Sequence, residues 1–251
     1  MRLLEYSNDG EFSLTKDFVG GEIPEYAILS HTWGEDTEEV TYRDVIDGTG
    51  KKKVGYEKIR FCAQQAADDG LQFFWVDTCC IDKSSSAELQ EAINSMFRWY
   101  QNAVKCYVYL SDVSTKKRKA SDSFTEYTWE PAFRASRWFT RGWTLQELLA
   151  PSPGSVEFFS RESDFLGDRR SLEQQIHEIT GIPLSALRGA HLSQFNVEDR
   201  LLWAENRQTA REEDRAYSML GIVDVFLTLL YGEGEKNAFR RLRKELGKHI
   251  I

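Results

Sequence analysis

Cysteine, histidine and proline are all scarce in this chain of 251 residues, and each scarcity narrows what it can be. Four cysteines, two of them adjacent at Cys79 and Cys80, supply neither the paired spacing of a zinc site nor the density of a disulfide scaffold, so they are expected to be reduced core thiols. The four histidines stand apart at positions 31, 177, 191 and 249, which suggests no metal cluster. No apolar run approaches the roughly 20 residues of a membrane span, so no such span is expected. The opening MRLLEYSNDGEFSLTK lacks a long apolar stretch and carries Glu5, Asp9 and Glu11; it does not read as a secretory signal, and a cytoplasmic protein is expected. Basic residues are the minority, 32 against 40 acidic, for a net charge of −8. That balance argues against a general nucleic-acid binder, while leaving room for a small local anion site.

What is present is the balance of a soluble globular domain: 41% hydrophobic and 29% charged residues in a length that suits one cooperative unit. Short apolar runs at Tyr26 to Ser30, Phe73 to Asp77, Cys106 to Ser111 and Val156 to Phe159 read as strands. Helical patterns separate the first three. Ile59, Cys62, Ala63 and Ala66 recur at helical spacing between Tyr56 and Asp69, with Gly70 as the stop, and Leu89, Ile93, Met96, Phe97 and Tyr100 share a face between Ser85 and Asn102. Strand, helix, strand, helix, strand is the pattern of parallel crossovers, and nearly continuous apolar strands fit a sheet covered on both faces. The fold expected is α/β, with a mostly parallel, flavodoxin-like sheet flanked by helices over about 24–160. A helical C-terminal extension over about 161–251 completes one domain. In it Phe239, Leu242 and Leu246 form one stripe, and Ser218 to Val223 reads as packing, with Arg215 bridging to an unidentified acid. The polar segment Ser114 to Arg134, with its basic run Lys116 to Lys119, is expected to be an exposed insertion.

In such sheets ligands sit beyond the carboxyl ends of the strands, here marked by Ser30-His31-Thr32, Asp77 and Ser111-Asp112. One further element stands out. Arg141-Gly142-Trp143-Thr144-Leu145-Gln146-Glu147-Leu148-Leu149 opens a short helix with a carboxylate one turn in, beside a tryptophan, then returns through a proline turn to a strand. Thr144 to Glu147 also reads as a capping box, as does Ser85 to Glu88, and a cap at Thr144 and a site at Glu147 are compatible.

Four ordered blocks carry a resemblance: Tyr26-Ala27-Ile28-Leu29-Ser30-His31-Thr32-Trp33-Gly34; Trp75-Val76-Asp77-Thr78-Cys79-Cys80-Ile81-Asp82; Arg141 to Leu148; and Asp214-Arg215-Ala216-Tyr217-Ser218-Met219-Leu220-Gly221. Together they resemble the fungal heterokaryon-incompatibility (HET) domain across nearly the whole chain. That resemblance implies a domain that triggers programmed cell death when unlike individuals fuse, often as the N-terminal effector of an NLR-like receptor. The order of elements is also similar to that of Toll/interleukin-1 receptor (TIR) domains, whose later Ser-x-Trp-Cys-x-x-Glu-Leu element carries a glutamate that serves NAD cleavage. Laid over Gly142 to Leu148, that pattern puts Glu147 on the enzymatic glutamate. Thr144 replaces the cysteine, and the C-terminal helices have no TIR counterpart.

The likeness implies NAD or a related nucleotide as substrate rather than a bound cofactor, and self-association as the active form. Glu147 would be the catalytic group, stabilising the oxocarbenium character that develops on ribose as nicotinamide leaves. Trp143, four residues earlier, would give an aromatic wall. Ser30, His31, Thr32 and Trp33 would border the ligand, with the diphosphate on backbone N–H groups near Thr32 to Gly34 or at the helix start near Ser84 to Ser86. Asp77 and Asp82 would orient ribose or bind a cation, or else simply end the strand and start the turn, and Lys83 and Arg141 would be charge partners. A non-enzymatic interaction module that kills by assembly remains the alternative.

Overall fold

The computed structural model describes residues 1–6, 12–18, 23–116 and 129–248. Asp9, Glu11, the basic residues at 117–119 and His249 lie outside the described residues. The strands are β1 (Leu4–Tyr6), β2 (Phe12–Leu14), β3 (Tyr26–His31), β4 (Phe73–Trp75), β5 (Lys105–Leu110), β6 (Val156–Ser160) and β7 (Phe165–Asp168). They form one sheet in the order β2-β1-β4-β3-β5-β6-β7. The middle pairs β4·β3, β3·β5 and β5·β6 are parallel, whereas β1 and β2 on one edge and β7 on the other run antiparallel to their neighbours. The first parallel strand thus lies between the second and third, which is the flavodoxin-like winding. All six residues of β3 are buried, as a strand covered on both faces requires.

The helices are α1 (Tyr42–Ile46), α2 (Tyr56–Asp68), α3 (Ser86–Asn102), α4 (Glu130–Arg134), α5 (Thr144–Leu149), α6 (Glu173–Thr180), α7 (Leu184–Leu187), α8 (Val197–Leu202), α9 (Asp214–Tyr217) and α10 (Glu235–Lys248). Alternation along β5 shows that two of them cover opposite faces. The Tyr107 hydroxyl donates to the Gln65 carbonyl in α2, and the next residue inward, Cys106, places its thiol against the Glu147 carbonyl in α5. Helix α3 buries Ala92, Ile93, Met96 and Tyr100, and Ser85 caps it by accepting from the Glu88 N–H. The expected reciprocal bond from Glu88 is absent, because that carboxylate is taken by Arg2 and by the Asp82 N–H.

The four strands and two long helices expected from periodicity are all present. The edge strands were not foreseen: β1 and β2 have three residues each and β7 has four, too short to display an alternation. Because β7 continues the sheet to Asp168, the region after residue 160 begins as strand before turning helical. Within the polar insertion, α4 was also missed; its Phe133 is fully buried. The expected acid partner of Arg215 is Glu235 at 2.9 Å, but both side chains are more than one-third exposed, so the contact ties α9 to α10 at the surface rather than bridging to the core.

Gly221 shows how tightly the C-terminal region is pressed on the sheet domain. A Cβ there would stand 2.1 Å from the Cβ of Phe97 on α3. Neither atom can rotate away, so Gly221→Ala is expected to cost at least about 1–3 kcal/mol through overpacking. A urea midpoint equal to the parent's would show that the two segments do not meet in this way.

Candidate functional site

The crossover after β4 passes over β3 to reach β5, so the winding reverses between β3 and β5, and the carboxyl ends of these strands flank the place where open α/β sheets bind ligands. A cleft of about 210 Å³ opens there. Into its wall projects Glu147, 8% exposed, from α5. The expected cap at this helix is not formed. Trp143 occupies the cap position without a side-chain bond, and the Thr144 hydroxyl donates to the Trp138 and Arg141 carbonyls. Glu147 turns instead toward β3, where the Ser30 hydroxyl donates to its Oε2; Ser30 Oγ in turn accepts from Trp138 Nε1 at 2.8 Å. Burial dominates the electrostatics. It pushes the Glu147 carboxyl up to about 8, helped by the charge of Asp77 and opposed by Ser30, Tyr100 and Arg207.

Removing the Ser30 hydroxyl should therefore raise the Glu147 carboxyl further and leave the buried indole N–H of Trp138 unpaired. Ser30→Ala is expected to lose about 1–3 kcal/mol in chemical denaturation. A loss within a few tenths of a kcal/mol would mean that this chain of donors is not maintained.

Two buried arginines hold the short helix at its ends. Arg207 donates to the Arg141 carbonyl and to Thr144 Oγ1, both at 2.9 Å, and Arg169 donates to the Leu148 and Pro151 carbonyls. Burial pulls both guanidinium groups down to about 10, so they remain charged at neutral pH. A six-residue helix has little stability of its own, and these contacts fix the backbone that aims Glu147.

The cleft has two aromatic sides. On one, Trp33 is 38% exposed and donates through Nε1 to Asp77 Oδ2 at 2.9 Å, with the Lys83 ammonium 3.7 Å from the ring centre. His31 and Asp77 lie behind it, with Nε2 and Oδ1 3.7 Å apart, too far for a hydrogen bond, and both atoms buried without a partner. Burial, then the charges of Lys58 and Lys83, depresses His31 well below its usual value, so it is neutral at pH 7. On the other side Trp143 Nε1 and Tyr231 Oη donate to the two oxygens of Asp214, at 3.4 and 2.9 Å, and the Arg211 guanidinium stacks 4.2 Å from the Tyr231 ring centre. Burial raises both Asp77 and Asp214.

Of the residues singled out in the sequence, His31, Trp33, Asp77, Lys83, Arg141, Trp143 and Glu147 line this one cleft. Ser30 lies beneath it, bonded to Glu147. Thr32 is buried but not on the lining, and Asp82 is turned to the N–H and hydroxyl of Ser84. Of the backbone positions considered for a diphosphate, the Gly34 N–H is taken by Glu39, the Ser84 N–H by the Asp82 carboxylate and the Ser85 N–H by the Asp82 carbonyl. Arg211, Asp214 and Tyr231 also line it; Asp214 opens the fourth motif block, but nothing local marks it, Arg211 or Tyr231 as a site residue. Among the described residues no group of three or more His, Cys, Asp or Glu could hold a metal, and all four cysteines are free and buried.

Fold and cleft together define a doubly wound α/β domain with a carboxyl group at its winding reversal. Residues 26–131 match the family model described as heterokaryon incompatibility protein (HET). Over 248 residues, 99% of its length, the chain is 63% identical to the vegetative incompatibility protein HET-E-1 of Podospora anserina. It therefore carries the heterokaryon-incompatibility domain that its ordered motifs implied. The chain spans 18% of the length of that relative. No solved structure matches it. Among the described residues no helix is long and apolar enough to cross a membrane.

Proposed function

We propose that this chain is the cell-death-inducing effector domain of a heterokaryon-incompatibility protein, and that on self-association its cleft cleaves NAD at the nicotinamide–ribose bond with Glu147 as the catalytic group. The observation that carries this reading is the placement of Glu147: a buried carboxyl on the wall of a cleft at the winding reversal, aimed by the Ser30 hydroxyl, which an indole holds in turn, rather than spent on a helix cap. Its match to only 18% of a vegetative incompatibility protein accords with an effector module inside a larger, NLR-like receptor.

In the reaction the bond between ribose C1′ and the pyridinium nitrogen breaks with its electron pair going to nitrogen, so nicotinamide leaves neutral and needs no acid. Positive charge develops on the ribose, and water adds at C1′ and loses a proton to solvent. Glu147 stabilises that charge only when ionised. In the empty cleft burial holds it largely protonated at pH 7, and a cationic nicotinamide ring placed beside it favours release of the proton. Trp143 and Trp33 offer flat walls for the nicotinamide or adenine rings.

The direct test is nicotinamide release from NAD by the purified chain, free and tethered into clusters, with release expected from the clustered form. No release in either state, with cell killing retained, would replace the catalytic reading by that of an interaction module acting through assembly. Killing by a chain that stays monomeric at every concentration would remove the assembly requirement from both.

A further inference from the structure

The cleft carries more cations than its carboxylates engage. Lys83, Arg141 and Arg211 all line it, in a chain of net charge −8. Asp214 commits one oxygen to Tyr231 and the other to Trp143, and Asp77 commits one to Trp33 with Lys83 no nearer than 4.0 Å. Among the described residues neither Arg141 nor Arg211 has a carboxylate within ion-pairing distance. Stacked on the Tyr231 ring, the Arg211 guanidinium is held by its face, which leaves its in-plane N–H edges free. Burial disfavours the charged forms of Asp77, Asp214 and Glu147, and that of Lys83 as well, which leaves Arg141 and Arg211 as the firmest charges on the lining.

We propose that Arg141 and Arg211 form a phosphate-recognition edge of this cleft, so that its ligand is a nucleotide bearing a diphosphate rather than a free nucleoside. Guanidinium groups suit this role because their paired N–H groups match two phosphate oxygens at once. Of the backbone alternatives, the N–H groups of Gly34, Ser84 and Ser85 are engaged within the protein. The two arginines approach from segments distant in sequence, Arg141 from the turn before α5 and Arg211 from the turn before α9, so the site exists only when the C-terminal region is packed on the sheet. This inference rests on the nucleotide-cleft reading above, not on turnover.

The test is calorimetric titration of the full chain carrying Glu147→Gln, which keeps NAD intact, with NAD, ADP and nicotinamide riboside as probes at low and high salt. NAD and ADP should bind at least about tenfold more tightly than the riboside, the excess shrinking with salt. Arg141→Gln and Arg211→Gln should each remove about that factor for NAD and ADP and leave the riboside unchanged. Both side chains are partly exposed and outside the core, so the variants are expected to fold, with melting curves as the control. Equal binding of NAD and riboside, unaltered NAD affinity in the double variant, or no binding of any probe overturns the proposal. Arginine-dependent binding of ADP without NAD turnover by the parent keeps this site and removes the catalytic reading; turnover with unchanged KM in the double variant does the reverse.

Discussion

Glu147→Gln is expected to cut nicotinamide release from NAD by at least about a hundredfold, the scale on which a single preorganised electrostatic group acts. Glutamine keeps the length of the side chain and can still accept from the Ser30 hydroxyl, so the neighbours Trp138 and Ser30 keep their places. What it lacks is the charge. The loss should fall on kcat and kcat/KM alike, since the interaction is made with the developing cation and not with the resting substrate. The parent's kcat/KM should climb with pH through about 8, where the buried carboxyl of the free protein ionises. A variant with parental turnover, or a flat profile in the parent, would remove Glu147 from the chemistry.

The same substitution is expected to invert the stability ranking with pH. Glu147 has an ordinary value of 4.5 and is held near 8 in the folded chain, the direction set by burial. Between those values the folded state keeps a proton that the unfolded state has released, so stability falls as pH rises from about 4.5 and levels off above about 8. Integrated over that window the loss is roughly 2–5 kcal/mol. Glutamine does not titrate, so the difference between variant and parent isolates this one group from others that ionise. At pH 5 the two should melt closely together; at pH 9 the variant should be the more stable by most of that amount. Melting curves that stay parallel at every pH would mean that the carboxyl is already ionised at neutral pH.

Taken together, these two results separate a strained site from a structural one. A glutamate kept only for packing would lose stability when changed to glutamine, at all pH values, and take nothing else with it. Higher stability combined with lost turnover is the signature of a charge held in a costly place for use.

How much of this was legible beforehand differs element by element. Tyr26 to Ser30 and Cys106 to Leu110 announced themselves because a strand buried on both faces is an unbroken apolar run, and α2 and α3 because their stripes repeat over several turns. The edge strands β1, β2 and β7 gave too few residues to show a period. Thr144 to Glu147 misled for a physical reason: a capping box describes side chains that satisfy their own helix, and here stronger partners lie elsewhere, Ser30 for the carboxyl and two carbonyls for the hydroxyl. Near Gly34, likewise, Glu39, five residues on, takes the Gly34 N–H.

From the residues alone come the α/β class, the order of the parallel elements, the family to which the motifs point, and the choice of Glu147 beside Trp143. Those are written in local periodicity and short contiguous blocks, which neighbouring residues suffice to express. Only the folded chain decides that His31, Asp77, Lys83, Arg141 and Glu147 face one cavity, that Arg211, Asp214 and Tyr231 close it, and that the carboxyl is buried deeply enough to keep its proton. Burial and ionisation depend on what lies across the cleft, more than a hundred residues away along the chain in the case of Ser30 and Glu147, and no window of local sequence contains both sides.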